Sequence, residues 1–236
     1  MGARTVSSRL QRRWDNFSQS YQTGVTQEDI KNIMGIRDFS TGETWGYVRT
    51  RNSFAINEKL YDPANAGKTD EQIFTRVRRD GRSDLKTVQT MDKLIRNHTT
   101  QANATYTRFS TGNAIKALYG LDDKQIQTLL RAGSMNPAQM RALNRAFAGK
   151  TGYSASYTST SANRSMNAFG NPHAKDMWFE RKLYMPQGTN AYAVQRNAQE
   201  SEVIFGRHAN TSLMKVTVAS DGHIVLHEMF TGYKKR

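Results

Sequence analysis

The sequence contains no cysteine among its 236 residues. This absence excludes disulfide bonds, zinc sites built from thiolates and catalysis by a cysteine nucleophile. No run of residues approaches the roughly 18 consecutive apolar positions that a membrane-spanning helix needs. Glycine-rich phosphate loops of the Walker and dinucleotide-binding types are missing as well. We therefore expect neither a membrane span nor one of these common nucleotide-binding folds.

Metal-ligand patterns are equally scarce. His223 and His227 lie four residues apart, a spacing that suits one metal ion when both residues lie on a helix. Residues 223–230 are predicted to form a strand, and the sequence around His227 is not the zincin motif. We therefore predict no metal site.

Acidic residues are few compared with basic ones. The chain carries 34 Lys and Arg residues against 20 Asp and Glu residues, a formal net charge of +14 at pH 7. Between Lys124 and Gln199, ten basic residues accompany two acids, Asp176 and Glu180. Such a basic surface suits a dinucleotide pyrophosphate, a nucleic acid or an acidic protein target, and the charge leaves all three open.

The order of the predicted elements indicates an α+β fold. Apolar residues recur at helical spacing between Asp84 and Asn97, and Thr26 precedes acids that favour the first turn of a helix. The β-branched and aromatic segment 105–109 predicts the first strand of a sheet. Further helices are predicted at 113–119, 122–132 and 137–147, and further strands at 153–161, 178–184, 190–194, 202–205, 212–219 and 223–230.

Two glutamates lie directly before an apolar strand. In Glu200-Ser201-Glu202, the carboxylates are two residues apart, so an extended backbone points both to the same face. Like charges held this close are costly unless a cation or a reaction uses them. Two polar segments precede the pair, Tyr106-Thr107-Arg108 and Tyr157-Thr158-Ser159-Thr160-Ser161.

An arginine on a strand, a Ser-Thr-Ser strand about 50 residues later and Glu-x-Glu about 40 residues after that resemble the mono-ADP-ribosyltransferase superfamily. The resemblance is to its arginine–serine–glutamate branch, which includes bacterial toxins that modify actin and the arginine-specific transferases. Residues 181–189, 199–205 and 53–60 also resemble family segments, so the likeness covers roughly residues 45–230.

The resemblance implies a helical N-terminal lobe packed on a mixed or antiparallel, β-sandwich-like core of the ADP-ribosyltransferase type. We interpret residues 1–236 as one such domain, with the lobe at 1–100 and the NAD-binding catalytic core at 101–236. Four arginines precede Trp14 with no apolar run after them, which is not a signal-peptide pattern. The expected location is the cytoplasm, or a target cell reached by a non-classical route.

The resemblance also implies the roles of the motif residues. Glu202 matches the catalytic glutamate, Glu200 the residue that serves the acceptor, and Ser159 the serine that holds the catalytic glutamate. Arg108 matches the arginine that binds a phosphate of NAD, which is the implied substrate, and no metal is implied. The other residues assigned to NAD binding are Thr107, Phe109, Thr160, Ser161, Phe169 and Arg181.

The implied reaction transfers ADP-ribose from NAD to an arginine of an acidic target protein. Family members that modify asparagine carry Gln at the position of Glu200, which favours arginine here. The loop before the glutamates commonly bears an aromatic residue that contacts the protein substrate, and this chain has Asn197 in its place. Transfer to RNA or DNA, and a degenerate module that only binds nucleic acid, therefore stay open, as do toxin, effector and phage roles.

Overall fold

The computed structural model describes residues 8–162, 179–194 and 201–234. The helices are α1 (Ser8–Gln19), α2 (Gln27–Ile33), α3 (Asn52–Tyr61), α4 (Asp70–Ile73), α5 (Asp84–Asn97), α6 (Gly112–Tyr119), α7 (Asp123–Leu130) and α8 (Pro137–Phe147). The strands are β1 (Ile36–Arg37), β2 (Thr44–Trp45), β3 (Ala104–Ser110), β4 (Thr151–Ser154), β5 (Thr158–Ser161), β6 (Phe179–Met185), β7 (Ala191–Ala193), β8 (Glu202–Phe205), β9 (Ala209–Val218) and β10 (Ile224–Tyr233). This mixture confirms the predicted α+β class. Among the described residues, no helix is long and apolar enough to cross a lipid bilayer.

Eight strands form one mixed sheet in the order β4-β9-β10-β6-β3-β5-β8-β7. The pair β6–β10 is parallel and the other neighbours are antiparallel. β3 pairs with β6 along its whole length, whereas it meets β5 at one position, where Thr107 lies opposite Ser161. The sheet therefore has a five-stranded and a three-stranded part, and their junction brings β3, β5 and β8 together.

The N-terminal helices begin where the sequence supplies caps. The Thr26 hydroxyl accepts from the Asp29 backbone N–H, and the Asp29 carboxylate accepts from the Thr26 N–H, which confirms the predicted start of α2. Ser83 caps α5 with a single bond, because its hydroxyl accepts from the Lys86 backbone N–H. Lys93 of α5 donates to Asp29 at 2.8 Å, so the carboxylate that caps α2 also joins it to α5.

Two hydrophobic clusters hold the helices against the sheet. The larger lies between α1, α2, α3 and α5 and strands β3, β6, β7 and β8, and includes Met91. Within it, Tyr106 and Phe205 pack edge to face with ring centroids 5.1 Å apart. The smaller lies between α6–α8 and strands β6, β9 and β10, and includes Phe147 and Leu226. Truncating one such side chain to Ala costs about 2–5 kcal/mol, so these clusters fix the strand positions.

The prediction of one strand at 153–161 is wrong, because the chain bends in the middle of that segment. Ser154 Oγ donates to the carbonyl of Ser156 at 3.0 Å, a local bond that competes with strand pairing. The segment forms two strands, β4 at the edge of the sheet beside β9, and β5 between β3 and β8. The bend therefore places Ser159 at the junction of the two parts of the sheet.

Candidate functional site

Three sequence motifs meet at the junction of β3, β5 and β8. Arg108 Nη1 donates to the carbonyl of Ser159 at 2.8 Å, although 51 positions separate the two residues. β5 and β8 pair antiparallel with Ser161 opposite Glu202, so the Ser-Thr-Ser strand lies beside the glutamate strand. The structure thus brings together Arg108, Ser159 and Glu202, on which the predicted site depends.

Two of these groups are shielded from bulk water, whereas Arg108 is half-buried. Glu202 is 5% exposed and Ser159 is 9% exposed. Burial lowers the pKa of Arg108, and the neighbouring Arg181 lowers it further, while Tyr47, Tyr61 and Glu202 act in the opposite direction. An anion bound beside Arg108 would offset the cost of burying its charge.

Tyr47 belongs to the same cluster, and sequence reasoning missed it. Its hydroxyl accepts a 2.9 Å hydrogen bond from Asn57 of α3 and lies near Ser159 of β5. Burial raises the pKa of Tyr47 to about 12, against the opposing effect of Asn57 and Ser159. The hydroxyl therefore stays protonated at neutral pH and links α3 to β5. The aromatic stretch around Tyr47 is equally typical of a hydrophobic core, so the sequence held no signal that marks it.

Arg181 of β6 lies directly opposite Arg108 of β3. Its Nε and Nη2 atoms donate to the two carboxylate oxygens of Glu228 on β10, at 2.8 and 2.7 Å. Burial alone would lower the pKa of Arg181, but the Glu228 carboxylate outweighs burial and raises it. Two N–H groups of Arg181 therefore already donate to the Glu228 carboxylate. The sequence did not predict this partner.

A family model, that of the ADP-ribosyltransferase exoenzymes, matches residues 46–230. The chain belongs to the ADP-ribosyltransferase exoenzyme family. The matched residues include the whole arginine, serine and glutamate junction, and membership confirms the resemblance to the toxin-type branch. Membership of this family supports NAD-dependent mono-ADP-ribosyl transfer, a reaction in which NAD is a substrate.

Several solved structures share the fold. C3stau2 from S. aureus, solved with NAD, is 18% identical and aligns with a TM-score of 0.65 over 99% of each chain. The Clostridium limosum C3 exoenzyme is 18% identical, with a TM-score of 0.63 over 95% of this chain and 94% of its own. Plx2a, an ADP-ribosyltransferase toxin from Paenibacillus larvae, is 14% identical, with a TM-score of 0.62 over 95% and 96%. No curated protein matches the chain.

Thr107 and Phe109 flank Arg108 but point to the opposite face of β3, since neighbouring strand residues alternate. The Phe109 ring lies edge-on to His223, with centroids 5.9 Å apart. Thr107 is buried on that face. The structure therefore does not bring these two predicted side chains to the side of the sheet that Arg108 faces.

The Ser-Thr-Ser strand combines two kinds of contact. Thr160 is fully buried, and its hydroxyl donates to the carbonyl of Val203 at 2.8 Å, which joins β5 to β8. Ser159 instead contacts Tyr47 and, through its carbonyl, Arg108. The predicted residues Glu200 and Phe169 lie outside the described residues, as does Asn197.

A buried ion network holds the far ends of β5 and β8. Arg207, just after β8, donates to Asp70 of α4 at 2.8 Å through both Nη atoms and to Asp92 of α5. Tyr157, just before β5, donates to Asp92 at 2.7 Å, and its ring lies 5.2 Å from that of Tyr47. Burial would lower the pKa of Arg207, but the two acids and Tyr157 together raise it. The network thus fixes the two strands that carry Ser159 and Glu202.

Proposed function

We propose that this protein transfers ADP-ribose from NAD to an arginine side chain of a target protein and releases nicotinamide, a reaction of the glycosyltransferase class. The junction of Arg108, Ser159 and Glu202 carries the proposal. Glu200, two residues before Glu202 in the sequence, supplies the second carboxylate that an arginine acceptor requires. We further propose that residues 1–236 act as a single domain.

We assign NAD binding mainly to residues of β3, β5 and β6. Arg108 donates two parallel hydrogen bonds to the pyrophosphate, as a planar guanidinium does well. The Ser159 hydroxyl, held by Tyr47, positions the Glu202 carboxylate. The other proposed NAD contacts are Thr107, Phe109, Thr160, Ser161, Phe169 and Arg181. For Thr107, Phe109 and Thr160, the contact runs through the strand backbone, because their side chains are directed elsewhere.

Glu202 supports the bond-breaking step. The bond between ribose C1 and the nicotinamide nitrogen breaks, its electron pair leaves with nicotinamide, and positive charge develops on the sugar. A carboxylate that is 5% exposed stabilises this charge strongly, because little water screens it. No metal is required for this step.

Glu200 serves the acceptor. An arginine guanidinium is protonated at neutral pH, so its nitrogen becomes a nucleophile as it gives up a proton to a base. Glu200 takes that proton while the nitrogen forms a bond to ribose C1. The net charge of +14 favours approach of an acidic target surface.

A nucleic-acid acceptor is the second candidate, favoured by the same charge and by the presence of Arg196 and Asn197 shortly before the glutamates in the sequence. The chemistry at Glu202 is unchanged in this case, and only the acceptor differs. The third candidate is a module that binds nucleic acid without consuming NAD. Transfer to a protein and transfer to a nucleic acid are each compatible with delivery into a target cell as a toxin or effector, or with a role in phage infection.

The test uses the pure protein, NAD labelled in its ADP-ribose part, agmatine as a small guanidine acceptor and a cell lysate. We expect labelled agmatine, and labelled protein from which both protease and hydroxylamine release the label. Glu200→Gln should keep NAD hydrolysis but lose transfer to agmatine, whereas Glu28→Gln, an exposed glutamate of α2, should behave as wild type.

Three other results would contradict the proposal. Label that nuclease alone releases identifies a nucleic-acid acceptor. Transfer to agmatine at the wild-type rate by Glu200→Gln removes the role of that carboxylate. Absence of any NAD consumption by the wild-type protein supports the binding module.

A further inference from the structure

A cleft of about 500 Å³ lies between the β1–β2 hairpin and the start of α3, and none of the residues recorded as lining it belongs to β3, β5 or β8. Three exposed arginines line it, Arg37, Arg49 and Arg51, and the other lining residues are glycine, threonine and isoleucine. Among the described residues, no carboxylate lines this cleft. The site therefore gathers three positive charges around one concave surface.

Neighbouring arginines of the same region have acidic partners. Arg76 pairs with Asp84 at 3.0 Å, and Arg78 pairs with Asp38 at 3.1 Å. By contrast, no ion pair or side-chain hydrogen bond within the described residues engages the guanidiniums of the three cleft arginines. The nearby Asp38 is already held by Arg78 and Ser40. A bound anion would therefore relieve the repulsion among the three charges.

Two exposed phenylalanines outside the cleft lining lie within three residues of a cleft arginine in the sequence. Phe39, at the tip of the hairpin, is 88% exposed, and its ring centroid lies 5.6 Å from the guanidinium carbon of Arg37. Phe54, in the first turn of α3 and three residues after Arg51, is 71% exposed. Apolar rings this exposed offer flat faces on which unpaired bases can stack.

We propose that the arginine–phenylalanine surface, which consists of the cleft arginines Arg37, Arg49 and Arg51 together with the exposed Phe39 and Phe54 outside the cleft lining, binds single-stranded nucleic acid. The arginines contact backbone phosphates, and the rings of Phe39 and Phe54 stack on bases. A duplex would offer the phosphates but keep its bases stacked within the helix, so the exposed rings favour a single strand. The cleft is built on elements other than the strands of the NAD site, so this inference does not depend on the proposed reaction.

Binding of fluorescein-labelled oligothymidylate and oligouridylate, followed by fluorescence anisotropy over a series of salt concentrations, tests the arginines. The triple variant Arg37→Gln, Arg49→Gln, Arg51→Gln removes three phosphate contacts. Its slope of log affinity against log salt should be smaller than that of the wild type by about 2, since each phosphate contributes roughly 0.7 for a single strand.

The matched control is the triple variant Arg131→Gln, Arg141→Gln, Arg145→Gln, which removes the same charge from exposed positions in the α7–α8 region. It should keep the wild-type slope. If both triple variants lose affinity equally, the protein binds through its overall charge and the proposed site is wrong. All six side chains are exposed, so both proteins should keep the wild-type unfolding midpoint.

The phenylalanines are tested separately. Phe39→Ala and Phe54→Ala should each weaken binding about tenfold without changing the salt slope, because stacking displaces no counterions. Met214→Ala, at a residue that is 52% exposed on β9, serves as the control and should have no effect. Unlabelled poly-glutamate and a duplex of the same sequence serve as competitors. If poly-glutamate competes as well as the unlabelled single strand, the proposal is wrong and the surface binds acidic polypeptides. If the duplex competes as well, the proposal is wrong and the surface binds duplexes.

Discussion

Arg108 and Arg181 lie opposite each other on neighbouring strands, yet their partners differ. Arg181 donates twice to the carboxylate of Glu228, and both side chains are buried. Arg108 donates to a neutral backbone carbonyl, that of Ser159. A guanidinium matched to its own carboxylate stabilises the strands around it, whereas one held by a carbonyl keeps donors suited to an anionic ligand. We therefore infer that Arg181 chiefly supports the sheet and that Arg108 chiefly binds NAD.

The largest expected effect comes from breaking the structural pair. Arg181→Met leaves the Glu228 carboxylate buried without its counter-ion, which should lower the free energy of unfolding by about 3–5 kcal/mol. Urea denaturation measures this loss. The double variant Arg181→Met, Glu228→Leu should recover much of it, because no unpaired charge remains. A small loss in the single variant, with no recovery in the double, would contradict the assignment.

Substitution of Arg108 should change NAD affinity strongly and stability only slightly. Arg108→Lys keeps the charge but loses the planar pair of donors, so the dissociation constant for NAD should rise about tenfold to a hundredfold. Isothermal titration calorimetry measures the affinity, and urea denaturation should show a change in unfolding free energy below about 1 kcal/mol. Unchanged affinity together with a large loss of stability would make Arg108 a structural residue.

The same comparison applies, with smaller effects, to Ser159 and Thr160. Thr160→Val removes the hydrogen bond to the Val203 carbonyl and should cost about 1 kcal/mol of stability while NAD turnover stays at the wild-type rate. Ser159→Ala should leave stability nearly unchanged and slow NAD turnover about tenfold, because Glu202 loses a group that positions it. Thermal unfolding and an NAD hydrolysis assay on both variants separate the two roles, and equal effects on turnover would refute the division.

Local signals in the sequence predicted much of this fold. α5 spans Asp84–Asn97, as the apolar spacing predicts, because this periodicity acts within a few residues of the chain. The bend after Ser154 was not predictable, since a Thr- and Ser-rich segment suits one strand as well as two. That bend decides where Ser159 lies, so the site was predicted from motif order rather than from strand pattern.

Sequence reasoning did not predict the ion pairs between residues far apart in the chain, and the reason is physical. Glu228 meets Arg181 across the parallel pair β6–β10, and Arg207 meets Asp92 across 115 positions. Such pairings follow from sheet topology, which residue spacing does not encode. Tyr47 escaped in the same way, because its hydroxyl reaches Asn57 and Ser159 only when α3 packs beside β5.

The central claim is that the buried carboxylate of Glu202, beside Arg108 and Ser159, drives cleavage of NAD. The most direct measurement is the initial rate of NAD hydrolysis by Glu202→Gln at saturating NAD, compared with the wild type. We predict a fall of about a hundredfold to a thousandfold, with NAD affinity and unfolding free energy close to those of the wild type. A Glu202→Gln protein that hydrolyses NAD at the wild-type rate would contradict the account.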